Sequence, residues 1–290
     1  MPAMPAAHYT LGATDAELRR LVALASHEED RVVDACRRAG IGEGAVVADL
    51  GCGPLGALGA LSRVVGDSGT VIGVDASAHA LDKARVLLGD APNVRLVQAD
   101  VCELSMENLD AAYTRLMLLH QPDPARVLAR VHAMLRPGGV FIAHEPSDQL
   151  VHAPASEPHV PAMTRVWELV IGAARSRGAR TDFGRRGRVY LEAAGFEVEQ
   201  TRAYAVHYPP EIGYEIPRVA LASLRPVIEQ HALATQDEVA QLDAELRAMQ
   251  TRDDVQWVSS PLMFEWIARR GIRSPRICNP AEGSSARRSG

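Results

Sequence analysis

Residues 46–56, VVADLGCGPLG, run from a β-branched apolar stretch into three closely spaced glycines, Gly51, Gly53 and Gly56. Glycines at such a turn permit positive φ and let a ligand approach the backbone, while a helix starting behind them offers unpaired N–H groups. By spacing alone the turn satisfies the GxGxxG dinucleotide fingerprint, with Asp75 at about the distance of a ribose-binding acid. Charge argues for a different ligand. Asp49 stands two residues before the first glycine, where a carboxylate opposes a pyrophosphate and favours a molecule carrying a sulfonium and an ammonium. Asp75 closes VIGVD, where a carboxylate can accept from a ligand's hydroxyls, and Asp100 closes NVRLVQAD. His144 and Glu145 end a further apolar run. Blander roles stay open: Asp75 could cap the next helix, Asp100 could sit in a turn, and His120 could be a core histidine.

The elements that must position these residues read as alternating strands and helices. Short apolar runs at 45–50, 70–74, 94–99, 111–114 and 140–144 are typical of strands buried on both faces. Ser77 opens a helix that stops at Gly89, and Asp123 with Pro124 opens another. The alternation implies βαβ units and an α/β fold with a doubly wound, mostly parallel sheet. Before it, capping boxes at Thr14/Glu17 and Ser26/Glu29 predict two short helices ending at Gly40. After it come a helix with Met163, Val166, Trp167, Val170 and Ile171 on one face, a helix ending at Gly195, and a sixth strand in FEVEQTRAYAV. Residues 211–252 read as helical and interrupted by Pro217 and Pro226, and WVSSPLMFEWIARR predicts a final edge strand, because Pro261 suits a strand start or edge.

Composition narrows the function. The 290 residues carry a net charge of -5 and 47% hydrophobic residues, which excludes a disordered chain and makes nucleic acid a poor partner. No apolar run has the length of a membrane helix, so a cytoplasmic, membrane-free protein is expected. Cys36, Cys52, Cys102 and Cys278 are too dispersed for a zinc site or a disulfide framework, and no metal is expected.

The chain resembles the class I S-adenosylmethionine-dependent methyltransferases. Their first motif is an acid, an apolar residue and a glycine turn, and VADLGCGPLG, VIGVDAS, NVRLVQADV and AAYTRLMLLHQPDPARVLARVHAMLRPGG follow in the expected order over about residues 45–145. The commoner turn is GxGxG; here Leu55 takes the third glycine position and Gly56 follows. The resemblance implies a seven-stranded sheet and S-adenosylmethionine as cofactor, held by Asp49, Gly51 and Gly53 at the turn, Asp75 and Ala76 at the ribose, and Asp100 and Val101 at the adenine. Arg115 would stand near the cofactor's ammonium, and an N-terminal YxLG, Tyr9 to Gly12, would join the site. The expected organisation is an N-terminal helical cap (1–40), a Rossmann-like core (41–210), a helical lid insertion (211–253), the last core strand (254–272) and a flexible tail (273–290).

The expected reaction is methyl transfer to an O, N or C atom of a small, fairly apolar molecule, in specialised metabolism on resemblance alone. After the fourth strand stands Thr114-Arg115-Leu116-Met117 and no Asn/Asp-Pro-Pro-aromatic motif of amide and nucleic-acid amino methylating relatives. If the acceptor must lose a proton, Glu145, His144 and His120 are the candidate bases, because the fourth and fifth strands end beside the cofactor's methyl group in that fold. Trp167, Tyr204, His207 and Tyr208 are the candidate substrate wall. The expected partner is the small acceptor; a homodimer stays open. The rivals are a member of the fold that uses the bound cofactor electrostatically, for example in a cyclisation, an NAD-dependent oxidoreductase, and a non-catalytic ligand-binding protein.

Overall fold

A computed structural model describes residues 14–148 and 161–271. Tyr9, Gly12, Cys278 and the 273–290 tail lie outside the described residues. The first element is one 25-residue helix, α1 (Asp15–Ala39), and not the two short helices expected. Thr14 does cap it, accepting from the Glu17 N–H, and Gly40 closes it in the left-handed conformation. Ser26 is no cap: its hydroxyl donates back to the Val22 carbonyl at 3.1 Å, so the chain passes through the second capping box without breaking.

The core alternates as its apolar runs predict: β1 (Val46–Leu50), α2 (Leu58–Val65), β2 (Thr70–Asp75), α3 (Ala78–Leu88), β3 (Val94–Gln98), β4 (Leu109–Arg115), α4 (Pro124–Met134) and β5 (Leu135–Pro146). Then follow α5 (Pro161–Ser176), α6 (Phe183–Ala193), β6 (Phe196–Tyr204), β7 (His207–Tyr208), α7 (Pro210–Gly213), α8 (Glu215–Gln230), α9 (Gln236–Met249), β8 (Val258–Ser259) and β9 (Met263–Arg270). The seven-stranded sheet has the order β3-β2-β1-β4-β5-β9-β6, and β7 pairs with β8 apart from it. Strands β1 to β5 run parallel, and β9 is antiparallel to both neighbours.

Strand β9 is therefore interior, with β6 at the edge, which corrects the edge strand expected for it. Pro261 is compatible with this because it precedes the first paired residue, Met263. The reversal of order beside β1 places the carboxyl ends of β1, β2 and β4 around one crevice, where open α/β sheets take their ligands. Two apolar layers cover the sheet. One joins Leu50, Leu118, Leu128, Phe141, Phe183 and Trp266; the other joins Cys36, Val47, Leu58, Leu61, Tyr113 and Ile267.

A third apolar cluster lies outside the sheet. Val166, Leu169 and Val170 of α5 pack with Ala220, Leu221 and Leu224 of α8 and with Val239, Leu242 and Leu246 of α9. The helical layer thus includes α5 together with the 211–253 segment. Pro217, in the first turn of α8, and Pro226, inside it, do not interrupt that helix. The missing N–H of Pro217 falls where helix N–H groups have no partner in any case.

Candidate active site

At the end of β1 the three glycines each adopt positive φ: 73° at Gly51, 56° at Gly53 and 50° at Gly56. A Cβ on Gly51 would meet Met117 Cγ at 2.6 Å, and one on Gly56 would meet the Cys52 carbonyl at 2.5 Å and Asp49 Oδ2 at 2.6 Å. The displaced third glycine is thus required by the turn itself. Gly53 differs: nothing but Leu21 Cδ1, at 3.8 Å, stands near its missing Cβ, because it faces a cleft.

That cleft, of about 460 Å³, is lined by Asp49, Gly51, Gly53, Asp75, Ala76, Asp100, Val101 and Arg115, and by Leu18 and Leu21 of α1. Eight of the nine residues expected at a cofactor stand on one wall; Tyr9 lies outside the described residues. Asp75 spends one lone pair of each oxygen on the backbone, accepting from Gly53 N–H and Ser77 N–H, each at 2.8 Å. The remaining lone pairs are free for a ligand's hydroxyls. Asp100 accepts from the Cys102 N–H at 2.8 Å.

Asp49 is 1% exposed, and its Oδ2 accepts from the Ala57 N–H at the entrance of α2. Burial pushes its carboxyl up to about 7, against the pull of that N–H and of Arg115, with Asp75 adding repulsion. A positively charged ligand beside it would hold it ionised, whereas a pyrophosphate would raise it further. The residues present therefore fit S-adenosylmethionine: an under-compensated buried carboxylate, an open glycine wall and two further carboxylates on one cleft.

A second cavity, of about 140 Å³, adjoins the first and is mostly apolar, with Leu24, Leu119, Met163, Trp167, Val170, Tyr208 and Ile216 among its walls. Arg115, Leu116 and His120 line both. Leu116 has φ of 55°, an uncommon conformation for a residue with a Cβ. Its strain is held in place by Glu145, whose carboxylate accepts from the N–H groups of Met117, Leu118 and Leu119 at 3.0, 2.8 and 3.2 Å.

This corrects the expected bases. Glu145 is fully buried, lines neither cavity and serves the loop after β4; burial pushes it up to about 7 despite its three donors. His144 also lines neither: its Nδ1 is hydrogen-bonded to Tyr204 Oη at 2.8 Å, its Nε2 lies 3.5 Å from Glu265, and burial holds its pKa well below the ordinary value. His120 does reach the seam, although burial, reinforced by Arg20, lowers it to about 3 and keeps it neutral. Of the expected substrate wall, Trp167 and Tyr208 line the apolar cavity. Tyr204 stands behind that wall, and His207 is exposed with its Nδ1 3.0 Å from Ser259 Oγ.

The charged face of α1 was not among the expected site residues. Arg20 and Glu28 line the apolar cavity although they are 8% and 4% exposed. Arg20 pairs with Glu17 in a two-pronged contact at 2.8 and 2.5 Å. The available signal was spacing: Glu17, Leu21, Leu24 and Glu28 share one helical face, putting two carboxylates on an otherwise apolar stripe. Splitting the helix at Ser26 hid it.

Residues 47–139 match a family model described as a methyltransferase domain. The chain is 41% identical over 100 residues to an uncharacterised 37.1 kDa protein of transposon Tn4556 from Streptomyces fradiae, covering 34% of this chain and 29% of that one. It is 37% identical over 128 residues to trans-aconitate 2-methyltransferase of Deinococcus radiodurans, covering 44% of this chain and 47% of that enzyme. The chain thus spans about half or less of the length of these curated relatives. Among solved structures, a protein of Bacillus halodurans C-125 assigned as a methyltransferase superposes with a TM-score of 0.55 at 18% identity, covering 82% of this chain and 97% of that one. Its likeness is one of fold. By its sheet order and flanking helices the chain has the class I methyltransferase fold, and residues 47–139 of it match the methyltransferase domain.

Proposed function

We propose that this chain methylates a small, largely apolar molecule, with S-adenosylmethionine in the glycine-turn cleft and the acceptor in the apolar cavity next to it. The observation that carries this reading is the shared wall: two cavities of opposite character meet at Arg115, Leu116 and His120. One presents carboxylates to a cation; the other presents Trp167, Met163 and Val170 to an apolar body. When bound, the cofactor supplies an electrophilic methyl group whose leaving group is a neutral thioether.

The chain's own part is then placement. Asp49, Asp75 and Asp100 orient the donor, the 116–120 loop pinned by Glu145 forms the partition, and the helices α5 and α8 close the acceptor side. Holding two reactants at near-attack distance converts a bimolecular encounter into a unimolecular step, which accounts for a large share of the rate. Apolar walls also keep water from the sulfonium. A role in specialised metabolism is the part of the proposal that rests on resemblance.

Incubating the protein with S-adenosylmethionine and a panel of small phenols, amines and carboxylic acids, with mass-spectrometric readout, tests it. The expected result is S-adenosylhomocysteine together with a product heavier by one methyl group. Formation of an isomerised product without S-adenosylhomocysteine would favour the cyclase-like rival instead. Tighter binding of NAD than of S-adenosylmethionine would overturn the cofactor.

A further inference from the structure

Glu28 occupies an unusual position for a carboxylate. It lies on α1 in the wall of the apolar cavity, is 4% exposed, and its Oε2 accepts no hydrogen bond, although Arg31 Nε stands 3.2 Å away. The charged and titratable groups around it are Arg31 on its own helix, Arg115 and Tyr113 from β4, Tyr204 from β6 and Tyr208 from β7. Tyr204 Oη lies within hydrogen-bonding reach of Glu28 as well as of His144 Nδ1, and its ring lies under the Arg31 guanidinium at 3.7 Å. Arg115, which lines both cavities, donates to the Leu24 carbonyl at 3.3 Å, so it ties Glu28's neighbourhood to the partition. A carboxylate buried in an apolar wall and held mainly by an ion pair at 3.2 Å is only partly compensated, and a ligand's O–H or N–H would supply a further donor.

We infer that Glu28 takes the proton of the acceptor, which is therefore a molecule with a hydroxyl or protonated amino group on an apolar body. This rests on the reading of the apolar cavity as the acceptor site. In the step for a hydroxyl, the acceptor's O–H bond breaks and the proton passes to Glu28 Oε2. The electron pair stays on oxygen and forms the bond to the methyl carbon, while the carbon–sulfur bond breaks and its pair goes to sulfur, leaving S-adenosylhomocysteine. Burial pushes the Glu28 carboxyl up while Arg115 and Arg31 hold it down, which moves its pKa toward the operating range of a general base. His120, held neutral and low beside Arg20, is the weaker base on the same walls.

The test uses β-naphthol, whose hydroxyl becomes a strong acid on excitation, and β-naphthyl methyl ether, which has no proton to give, with the full chain saturated in S-adenosylhomocysteine. Both probes should bind, and bound β-naphthol should emit chiefly as naphtholate. Glu28→Gln keeps the shape of the side chain but cannot take a proton, so the naphtholate emission of the bound probe should be lost while the ether binds as before. If Glu28→Gln does not fold, Glu28→Leu should show the same loss. Naphtholate emission that survives either variant with both probes bound overturns the role of Glu28 alone. If neither probe binds the parent protein, the acceptor-cavity reading falls, and this inference with it.

Discussion

Asp49 serves two purposes that pull in opposite directions. Its oxygen caps the entrance of α2, yet its charge sits 1% exposed beside Asp75, so burial holds its pKa near 7 against an ordinary value of 3.8. An acid whose folded pKa is raised leaves the native state binding more protons than the unfolded one, so stability falls as pH rises from about 4 to about 7. Asp49→Asn retains the cap and removes the charge. We expect it to raise the melting temperature of the ligand-free protein by several degrees above pH 7, a gain on the order of 2 kcal/mol that vanishes near pH 4. The same variant should weaken S-adenosylmethionine binding in calorimetry, and a simultaneous loss of stability and affinity would contradict this account. Glu145 is the converse case, a buried charge whose donors are all structural. Glu145→Gln leaves at least one N–H of the 117–119 loop without an acceptor, which costs about 2 kcal/mol. The melting temperature should drop at every pH tested, and affinity for S-adenosylhomocysteine should drop with it, because that loop partitions the site.

The cofactor cleft was legible at the level of elements because its determinants are local. A glycine turn, a carboxylate at each strand end and the alternation of strand and helix all lie within a few residues of the feature they specify. The acceptor side was not, because it is assembled from α1, α5, β7 and α8, which lie far apart in the chain. The end of β5 shows the limit well: position made His144 and Glu145 look available, but the 117–119 loop takes up Glu145 while Tyr204 and Glu265 flank His144, and only tertiary contacts decide which way each is used. In α1 the error was one of period. Ser26 and Glu29 satisfy the capping pattern, but the apolar stripe continues through them, and tertiary packing of the stripe overrides a local stop signal. Thr14→Ala should therefore cost about 1 kcal/mol in chemical denaturation, whereas Ser26→Ala should be near neutral. A comparable loss at Ser26 would revive the two-helix reading.

At the scale of the molecule, the sheet carries the glycine-turn cleft proposed for the donor and the helical layer walls the cavity proposed for the acceptor, with β9 returning between β5 and β6. One helix belongs to both. Leu18 and Leu21 of α1 face the donor cleft, while Arg20, Leu24 and Glu28, within three turns of the same rod, face the acceptor cavity. A rigid element common to two binding sites is a thermodynamic link between them. Whatever part of the helix's freedom the first ligand removes, the second no longer has to remove, so occupancy of either site should favour the other, and by the same factor in both directions. Titrating β-naphthyl methyl ether with and without S-adenosylhomocysteine, then reversing the order, should give matching ratios above one. Such a protein would collect its two ligands as a pair, and half-loaded molecules would be scarce; ratios of one would mean that α1 is a passive wall shared by two independent sites.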